Sequence, residues 1–600
     1  MRVNISKRNT GVNFNAGDAE IRVWSPLSSS VDIVLRNDRK IPMQKADMGY
    51  WYATTNEITP GSFYKISIDG KDPLPDPASL SQPEDVHSWS SAVDVNDFNW
   101  TDNSWKNVPQ EQYIIYELHT GTFTPSHKFS GIIDKLDHLK ELGITAIEVM
   151  PVAQFPGDRN WGYDGVFPFA VQHSYGGARG LQELVNKCHQ KGIAVILDVI
   201  YNHIGPEGNY LANFGPYFTQ KYQTPWGKAL NFDDAWCDGV RDYFIENALM
   251  WFRDFHIDAL RMDAVHAIKD FGSTHIIKEI RQHTDVLAKN IGRNFYLIAE
   301  LDLNDPVFIN PYEKCGYGAD AQWVDEFHHA LRVASGQPRD GYYSDFDGVG
   351  DLAKSFTDAY VYDGQFSQHR KKLFGKKTYN SGHQFIVFSQ NHDQIGNRML
   401  GERSSQLVSF EMCKLMAAAV FISPYLPMLF MGEEWAESNP FLFFISHTDK
   451  ELAAIVNKGR KEEFSYFNWQ GEPPDPRLEN TFTSSMLQWE LLEKAPHNTM
   501  MNYYKELIAL RKRLPALRNT DRTSINAEAN EEKKMIIVER WTDEQHITCV
   551  LNFSDTEHDL EFDKKSGAKK MFDSSAEEWG GNTPSPGKIN PQSIIIVETK

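Results

Sequence analysis

Residues 192–203, GIAVILDVIYNH, hold an apolar strand together with the polar side chains that follow it. Apolar residues at helical spacing occupy 181–188, and Gly192 ends that predicted helix. The run at 193–200 is apolar almost throughout, which is typical of a strand that is buried on both faces. A helix followed directly by such a strand is the repeating unit of a parallel α/β fold.

The same unit recurs along most of the chain. Eight apolar strands alternating with helical spacings are predicted at 114–117, 146–150, 193–200, 259–262, 296–299, 322–324, 385–389 and 427–431. Eight strand and helix units in succession predict an α/β fold of the closed (β/α)8 TIM-barrel type. No glycine-rich phosphate loop follows any of these strands, which disfavours a doubly wound nucleotide-binding sheet.

The two ends of the chain have a different pattern. Residues 1–95 form short alternating stretches that are separated by turn residues, which predicts an N-terminal β-sandwich. Strand-like stretches separated by Gly, Pro and Ser return after about residue 519. We therefore predict a linker at 96–110, a catalytic barrel at 111–518 and a C-terminal β-domain at 519–600.

The charge balance excludes several classes of partner. The chain has 61 Lys and Arg against 81 Asp and Glu, a formal net charge of −20. Such a chain does not neutralise a phosphate backbone and is not attracted to anionic lipid, so we expect neither a nucleic acid nor a membrane as partner. No apolar run approaches the roughly 18 residues that a membrane span requires.

Cysteine usage indicates a reducing compartment. The five cysteines are odd in number, far apart and without a CxxC pair, at Cys188, Cys237, Cys315, Cys413 and Cys549. This arrangement fits free thiols better than a disulfide framework. The first residues, MRVNISKRNTGVNF, contain no apolar signal core. The expected location is the cytoplasm.

Polar side chains follow five of the predicted strands at the end where barrel enzymes hold their reactive groups. They lie in 198–203 and 261–266, at Glu300, in 390–393 and at 433–434. One acid in such a place would be a helix cap. Five polar positions on one rim are costly to hold together for stability alone, so the set predicts an active site.

The residue types at this rim favour the cleavage or transfer of a glycosidic bond. A retaining enzyme needs a nucleophilic carboxylate and a carboxylic acid about 5–5.5 Å apart. The ends of neighbouring strands supply such a pair in Asp263 and Glu300. Arg261 lies two residues before Asp263, so both side chains point the same way. Its guanidinium favours the ionised carboxylate that a nucleophile must be.

Four motifs at the strand ends resemble those of the α-amylase superfamily of glycoside hydrolases and transglycosidases. They are DVIYNH at 198–203, LRMDAVH at 260–266, IAE at 298–300 and QNHD at 390–393. Their order and spacing make the resemblance specific, and it covers residues from about 110 to 520. The N-terminal part resembles the β-sandwich modules that precede the barrel in branching and debranching members.

The resemblance implies a role for each matching residue. Asp263 is expected to be the nucleophile, Glu300 the general acid/base, and Asp393 the group that stabilises the distorted sugar ring. The residues expected to hold the sugar at the cleavage subsite are Tyr163 by stacking, Arg261, His203 and His392, with Asp198 as a supporting strand-end residue.

Further stretches resemble the malto-oligosyltrehalose trehalohydrolase family within this superfamily. They include PDPASLSQPEDVH at 75–87, QFPGDRNWGYDGV at 154–166, MGEEW at 431–435 and PFLFFISH at 440–447. The resemblance implies hydrolysis of the α-1,4 bond beside the terminal trehalose of malto-oligosyltrehalose, without a cofactor or metal, and pairing with a malto-oligosyltrehalose synthase. The residues that it places along the substrate cleft are His266, Asp320, Gln322, Trp323, Gln394 and Asn397.

Two alternatives stay open at this point. A glycogen branching enzyme shares the four motifs and the sandwich, but it passes the glucosyl chain to another glucan rather than to water. The stretches at 75–87 and 440–447 argue against it. A catalytically inactive glucan-binding protein would lack one of the three acids, and Asp263, Glu300 and Asp393 are all present.

Overall fold

The computed structural model describes residues 3–465, 472–560, 568–582 and 584–599. Within these ranges the chain forms an N-terminal pair of antiparallel sheets, a closed eight-stranded parallel barrel and a C-terminal antiparallel sheet. The predicted fold class, a (β/α)8 barrel between two β-domains, is confirmed. The domain limits at residues 95, 110 and 518 stay predictions.

The N-terminal β-domain buries alternate side chains between its two sheets. Its strands are β1 (Gly11–Asn15), β2 (Asp18–Trp24), β3 (Val31–Leu35), β4 (Lys40–Pro42), β5 (Gln44–Lys45), β6 (Tyr50–Thr55), β7 (Phe63–Ile68) and β8 (Ser90–Ser91). One sheet has the order β1-β2-β6-β5 and the other β4-β3-β7-β8. Ile21, Ile33, Trp51 and Ile66 are among the buried residues of this core. Alternating burial of this kind is what the period-2 pattern of a sandwich strand produces.

The sandwich packs directly on the barrel. The Trp24 ring lies against Gly239, where a Cβ atom would approach the ring within 2.0 Å. The hydroxyl of Tyr50 donates to Asp242 Oδ2 at 3.2 Å, and that of Tyr243 donates to the carbonyl of Pro77 at 2.7 Å. The contact is therefore close enough to require glycine at one position of the barrel.

The middle of the chain contains the barrel strands and three hairpins. In chain order the strands are β9 (Ile115–Leu118), β10 (Ala146–Val149), β11 (Ala153–Gln154), β12 (Phe167–Val171), β13 (Ala194–Val199), β14 (Phe218–Thr224), β15 (Gly227–Leu230), β16 (Ala259–Met262), β17 (Tyr296–Ala299), β18 (Ala321–Trp323), β19 (Asp363–Ser367), β20 (Lys372–Gly375), β21 (Phe385–Phe388) and β22 (Leu426–Phe430). The barrel closes in the order β10-β13-β16-β17-β18-β21-β22-β9. All eight predicted barrel strands are present. The hairpins β11-β12 and β14-β15 lie in the connections that follow β10 and β13, and β19-β20 lies in the connection between β18 and β21.

Helices cover the outside of the barrel. They are α1 (Thr120–Phe123), α2 (Phe129–Ile133), α3 (Leu136–Leu142), α4 (Gly177–Lys191), α5 (Leu211–Phe214), α6 (Cys237–Asp254), α7 (Ile276–Ile291), α8 (Asp325–Ala334), α9 (Val349–Asp358), α10 (His392–Gly396), α11 (Ser404–Leu407), α12 (Phe410–Ile422), α13 (Lys450–Ser465), α14 (Glu479–Thr483), α15 (His497–Arg513) and α16 (Pro515–Arg518). Helix α4 ends at Gly192 in the left-handed conformation, as predicted. Among the described residues, no helix combines the length and apolar composition needed to cross a bilayer.

The C-terminal β-domain is a five-stranded antiparallel sheet with a short two-stranded ribbon. Its strands are β23 (Ile525–Asn530), β24 (Met535–Trp541), β25 (His546–Asn552), β26 (His558–Asp559), β27 (Lys569–Asp573), β28 (Lys588–Ile589) and β29 (Ser593–Glu598). The sheet order is β23-β24-β25-β29-β27, and β26 pairs with β28. Arg540 donates to the carbonyl of Ile422 at the end of α12, which fastens this domain to the barrel.

Candidate active site

Arg261 is the centre of a charged cluster at the carboxyl rim of the barrel. Its side chain is fully buried, and its Nη1 donates to Asp198 Oδ2 at 2.8 Å and to Asp263 Oδ1 at 2.9 Å. Its Nη2 lies 3.8 Å from Glu300 Oε2, and the guanidinium stands 4.2 Å above the Trp323 ring. One cation therefore holds three acids from three neighbouring strands within reach of a single ligand.

Asp263 receives a second donor besides the arginine. The amide of Asn202 donates to Asp263 Oδ2 at 2.7 Å and to its backbone carbonyl at 2.8 Å. Charge-assisted hydrogen bonds of this kind stabilise a carboxylate in a fixed rotamer. The arrangement suits an ionised nucleophile aimed into the cleft.

Glu300 is held in a different state by its surroundings. Ala264 has a left-handed backbone with φ of 40°, and its N–H donates to Glu300 Oε2 at 2.6 Å. Such a conformation is strained for alanine. Burial raises the pKa of Glu300 to about 8; Arg261 opposes this rise, and the Asp263 carboxylate adds to it. A carboxyl group that keeps its proton near neutral pH can act as a general acid.

Asp393 reaches the open cleft from the seventh barrel strand. Asn391 caps the short helix α10 by accepting from the N–H groups of Asp393 and Gln394. The Asp393 side chain remains 46% exposed, while Asn397 Nδ2 lies 3.4 Å and His392 Nε2 3.5 Å from its Oδ1. The third acid is therefore fixed at its backbone and free to meet a ligand at its carboxylate.

Tyr163 forms one wall of the cleft. Gly162 before it has φ of 107°, and a Cβ atom there would come within 2.2 Å of the Pro151 carbonyl oxygen. This close approach places Tyr163 so that its hydroxyl donates to Asp198 Oδ2 at 2.7 Å. Its ring stacks on His392 at a centroid distance of 5.3 Å.

His203 supports the same wall from behind. Its Nε2 lies 3.0 Å from the Tyr163 carbonyl oxygen, and its Nδ1 contacts the side-chain oxygen of Asn202. The half-exposed ring of Trp226 stacks on the imidazole at 4.8 Å with a 6° tilt. His203 therefore links the wall to the amide that holds Asp263.

Comparisons with known proteins agree with this geometry. The model of the alpha amylase catalytic domain matches residues 98–226, and that of carbohydrate-binding module 48 (isoamylase N-terminal domain) matches residues 9–84. A malto-oligosyltrehalose trehalohydrolase of Saccharolobus solfataricus is 47% identical over 503 residues, which cover 84% of this chain and 85% of that protein. This chain belongs to the malto-oligosyltrehalose trehalohydrolase family. It is accordingly a glycosidase of the α-amylase family.

Two further relatives show how far the likeness extends. A 1,4-alpha-glucan branching enzyme of Bacillus caldolyticus is 24% identical over 617 residues, covering 95% of this chain and 82% of that protein. The crystal structure of a Salmonella typhimurium protein has a TM-score of 0.90 and 33% identity, and the match covers 99% of this chain and 100% of that one. The three-domain arrangement is thus shared along the full length.

The remaining cleft candidates differ in what occupies their side chains. His266 is half-buried beside Asp302, whose N–H points at its Nδ1 from 3.4 Å. Gln394 accepts from the N–H of Asn391 and donates to Asp325 Oδ1, both at 3.0 Å. Its amide therefore links Asn391, at the start of α10, to Asp325, which follows β18. His266 and Asn397 stay predictions as substrate contacts.

Two predicted cleft residues, Asp320 and Gln322, are directed away from the rim, and that part of the prediction is wrong. Asp320 precedes β18 at the opposite end of the barrel, where its Oδ2 accepts from Arg281 Nη1 at 2.5 Å and from the Leu297 N–H at 2.7 Å. Gln322 points outward and accepts from the Tyr360 hydroxyl at 2.6 Å.

Trp323 is 2% exposed and lies in the lumen under Arg261. Its role as a substrate contact stays a prediction. Strand β18 is Ala321–Trp323, so Asp320 precedes it at the amino end, and the cleft end of the strand is followed by Asp325.

Three polar residues of the site were not among the predicted ones. Asn202 lies inside the quoted motif at 198–203, and Glu117 is the next-to-last residue of the first barrel strand, so position alone could have indicated both. Asp325 follows the sixth strand directly, and burial raises its pKa to about 7. The signal for all three is the same strand-end position that identified the acids.

Proposed function

We propose that this chain hydrolyses the α-1,4-glucosidic bond next to the terminal trehalose of malto-oligosyltrehalose and releases trehalose with retention at the anomeric carbon. In this proposal Asp263 is the nucleophile, Glu300 the general acid/base and Asp393 the stabiliser of the distorted ring. This mechanism is supported by the contrast between the two acids beside Arg261. Asp263 is ion-paired and hydrogen-bonded, whereas Glu300 keeps its proton because it is buried.

The first step breaks the glycosidic bond. A carboxylate oxygen of Asp263 attacks the anomeric carbon, the bond from that carbon to the leaving oxygen breaks, and Glu300 gives its proton to that oxygen. Trehalose leaves and a glycosyl ester on Asp263 remains. Oxocarbenium character in the transition state is stabilised by the carboxylate of Asp393 at the open side of the subsite.

The second step regenerates the enzyme. Glu300, now ionised, takes a proton from water as the water oxygen attacks the anomeric carbon and the ester bond to Asp263 breaks. The released glucan carries the α configuration with which it entered. Arg261, His203, His392 and Tyr163 hold the sugar in this proposal, and Asp198 fixes Arg261 and Tyr163.

The choice of substrate is supported by the family and is tested by product analysis. Malto-oligosyltrehalose and a plain malto-oligosaccharide of equal length should be incubated separately with the protein, and the products separated by anion-exchange chromatography. We expect trehalose from the first and much slower cleavage of the second. New α-1,6 branches from amylose would instead establish the branching alternative, and an inert protein would establish the binding alternative.

We further propose that a malto-oligosyltrehalose synthase supplies the substrate and that both reactions take place in the cytoplasm. The substrate has a trehalosyl end that no hydrolase creates, so another enzyme must form it. All five cysteines are free. Free thiols at this number and spacing fit a reducing compartment.

A further inference from the structure

Glu117 is a buried carboxylate that has no role in the proposed mechanism, and it hydrogen-bonds to His392. Glu117 lies near the end of β9 and is 1% exposed. Its Oε2 accepts the backbone N–H of His392 at 3.1 Å, and its Oε1 accepts from the Nδ1 of the same residue. One carboxylate thus fixes both the backbone and the ring of His392.

The hydrogen-bond directions around the imidazole follow from the donors available. Asp198 Oδ2 accepts from Arg261 and also from the Tyr163 hydroxyl, which uses the only proton of that phenol. The same hydroxyl lies 2.8 Å from His392 Nε2, so this nitrogen must be the donor. Nδ1 faces a carboxylate and must be a donor as well. A histidine that donates from both nitrogens carries a positive charge.

We propose that Glu117 is a positioning residue that keeps His392 in its imidazolium form, so that the ring holds Tyr163 and the bound sugar in one fixed arrangement. The inference rests on the proposed function, because the effect on catalysis is measured through trehalose release. Burial alone lowers the pKa of His392, but the carboxylates of Asp393 and Glu117 raise it to about 9. Arg261 opposes that rise.

Ionisable groups from several neighbouring strands and loops face the His392 ring. The ionisable groups facing His392 are the acids and phenol Glu117, Glu148, Asp198, Asp393 and Tyr163, and the bases His119 and Arg261. Burial lowers the pKa of His119 to about 4, so it is neutral near pH 7. Glu117 is the acid that hydrogen-bonds directly to the imidazole.

Glu148 provides a matched control for Glu117. It stands in register beside Glu117 on the adjacent strand β10 and is equally buried. Neither of its carboxyl oxygens has a hydrogen-bond partner in the described part of the chain, and burial raises its pKa well above the usual range. Glu148→Gln therefore exchanges one neutral side chain for another of the same size.

The test compares pH profiles of kcat/KM for the unchanged protein, Glu117→Gln and Glu148→Gln, with malto-oligosyltrehalose as substrate. Glu117→Gln keeps the shape and one of the two acceptor oxygens, but it removes the charge and turns an amide NH2 toward His392. The pKa of His392 therefore falls, and the ring becomes neutral at lower pH. We expect about a tenfold loss near neutral pH, partial recovery in mild acid, and an alkaline limb displaced by about one to two pH units to lower pH. Glu148→Gln should have the same alkaline limb as the unchanged protein.

Simple structural damage would lower activity equally at every pH, and an alkaline limb that stays in place in Glu117→Gln would overturn the inference. If that variant does not fold, nitrogen NMR of histidine-labelled unchanged protein decides the question. Both ring nitrogens of His392, identified by their loss in His392→Gln, should carry protons near neutral pH. A neutral ring there would also overturn it. Failure of the unchanged protein to release trehalose would refute the proposed function instead, and the NMR result would stand separately.

Discussion

The two ends of the barrel each bury a histidine among acidic side chains. At the amino end, His189 lies between two carboxylates, with Nδ1 2.8 Å from Asp102 and Nε2 2.8 Å from Asp258. His256 Nδ1 and Arg293 Nη2 lie 2.8 and 3.0 Å from Oδ2 of the same Asp102. At the carboxyl end, His392 lies between Glu117 and the Tyr163 hydroxyl and beside the exposed Asp393.

The difference between the ends is in how completely the charges are enclosed. Asp102, His189 and Asp258 are all buried, and the linker closes over them: Trp105 stacks on His189 at 4.5 Å and donates to Asp258 at 2.7 Å. At the carboxyl end, Asp393 remains 46% exposed. In a (β/α)8 barrel the amino end serves stability and the carboxyl end serves chemistry.

The first prediction separates the two ends by their effect on catalysis. Asp263→Asn removes the proposed nucleophile and should lower kcat/KM by roughly 10⁴- to 10⁶-fold. The melting temperature should change little, because Arg261 retains Asp198 as its partner. Both quantities are measured on one preparation by trehalose release and thermal unfolding. Activity within tenfold of the unchanged protein would refute the proposed role of Asp263.

The second prediction concerns the amino end. His189→Ala leaves Asp102 and Asp258 buried without their shared cation and should lower the free energy of unfolding by about 3–5 kcal/mol. The value of kcat/KM should stay unchanged at temperatures where the variant is folded. Denaturant titration measures the first quantity.

His256→Ala is the matched control for this variant. It removes a donor to the same Asp102 oxygen at the same distance, but its side chain is 19% exposed and, within the described part of the chain, contacts one carboxylate rather than two. The loss should therefore be smaller. Equal losses for the two variants would contradict the idea that enclosure between two acids decides the stability.

The third prediction is the pH dependence of the amino end. Although burial opposes it, the carboxylates of Asp258 and Asp102 raise the pKa of His189 above 6.5. A histidine with a raised pKa contributes its full stability below the unfolded value, and that contribution is lost as the pH rises through the folded value. The melting temperature should therefore decline on the alkaline side. His189→Ala should lack this part of the decline, whereas His256→Ala should keep it.

The sequence was sufficient to predict the parts of the structure that depend on local pattern. All eight barrel strands follow from apolar runs, and the chemical reason for Asp263 and Arg261 to cooperate follows from their spacing of two on one strand. The four motifs then implied Glu300 and Asp393, which the structure places at the same rim.

The remaining features depend on closure of the barrel and could not be obtained from local pattern. Glu117 meets His392 only because β9 and β21 both flank β22 in the closed sheet, although the two residues are 275 positions apart. The linker at 96–110 was predicted from its position alone. That Asp102 and Trp105 of this linker join a buried ion cluster could not be predicted from the linker itself. The cluster forms only because the ends of two helices bring His189 and His256 to these residues.

The last prediction tests the position of Asp320 before β18, where the family resemblance had placed a cleft residue. Asp320→Ala lies at the amino end, so it should leave kcat and KM unchanged and lower the free energy of unfolding by about 1–3 kcal/mol through its lost bonds to Arg281 and Leu297. Asn397→Ala lies at the carboxyl end beside Asp393 and should lower kcat/KM by about three- to tenfold. The two variants remove side chains of similar size, so opposite readouts would follow from their place in the barrel alone. A raised KM in Asp320→Ala would place this residue at the cleft and contradict its position before β18 at the amino end of the barrel.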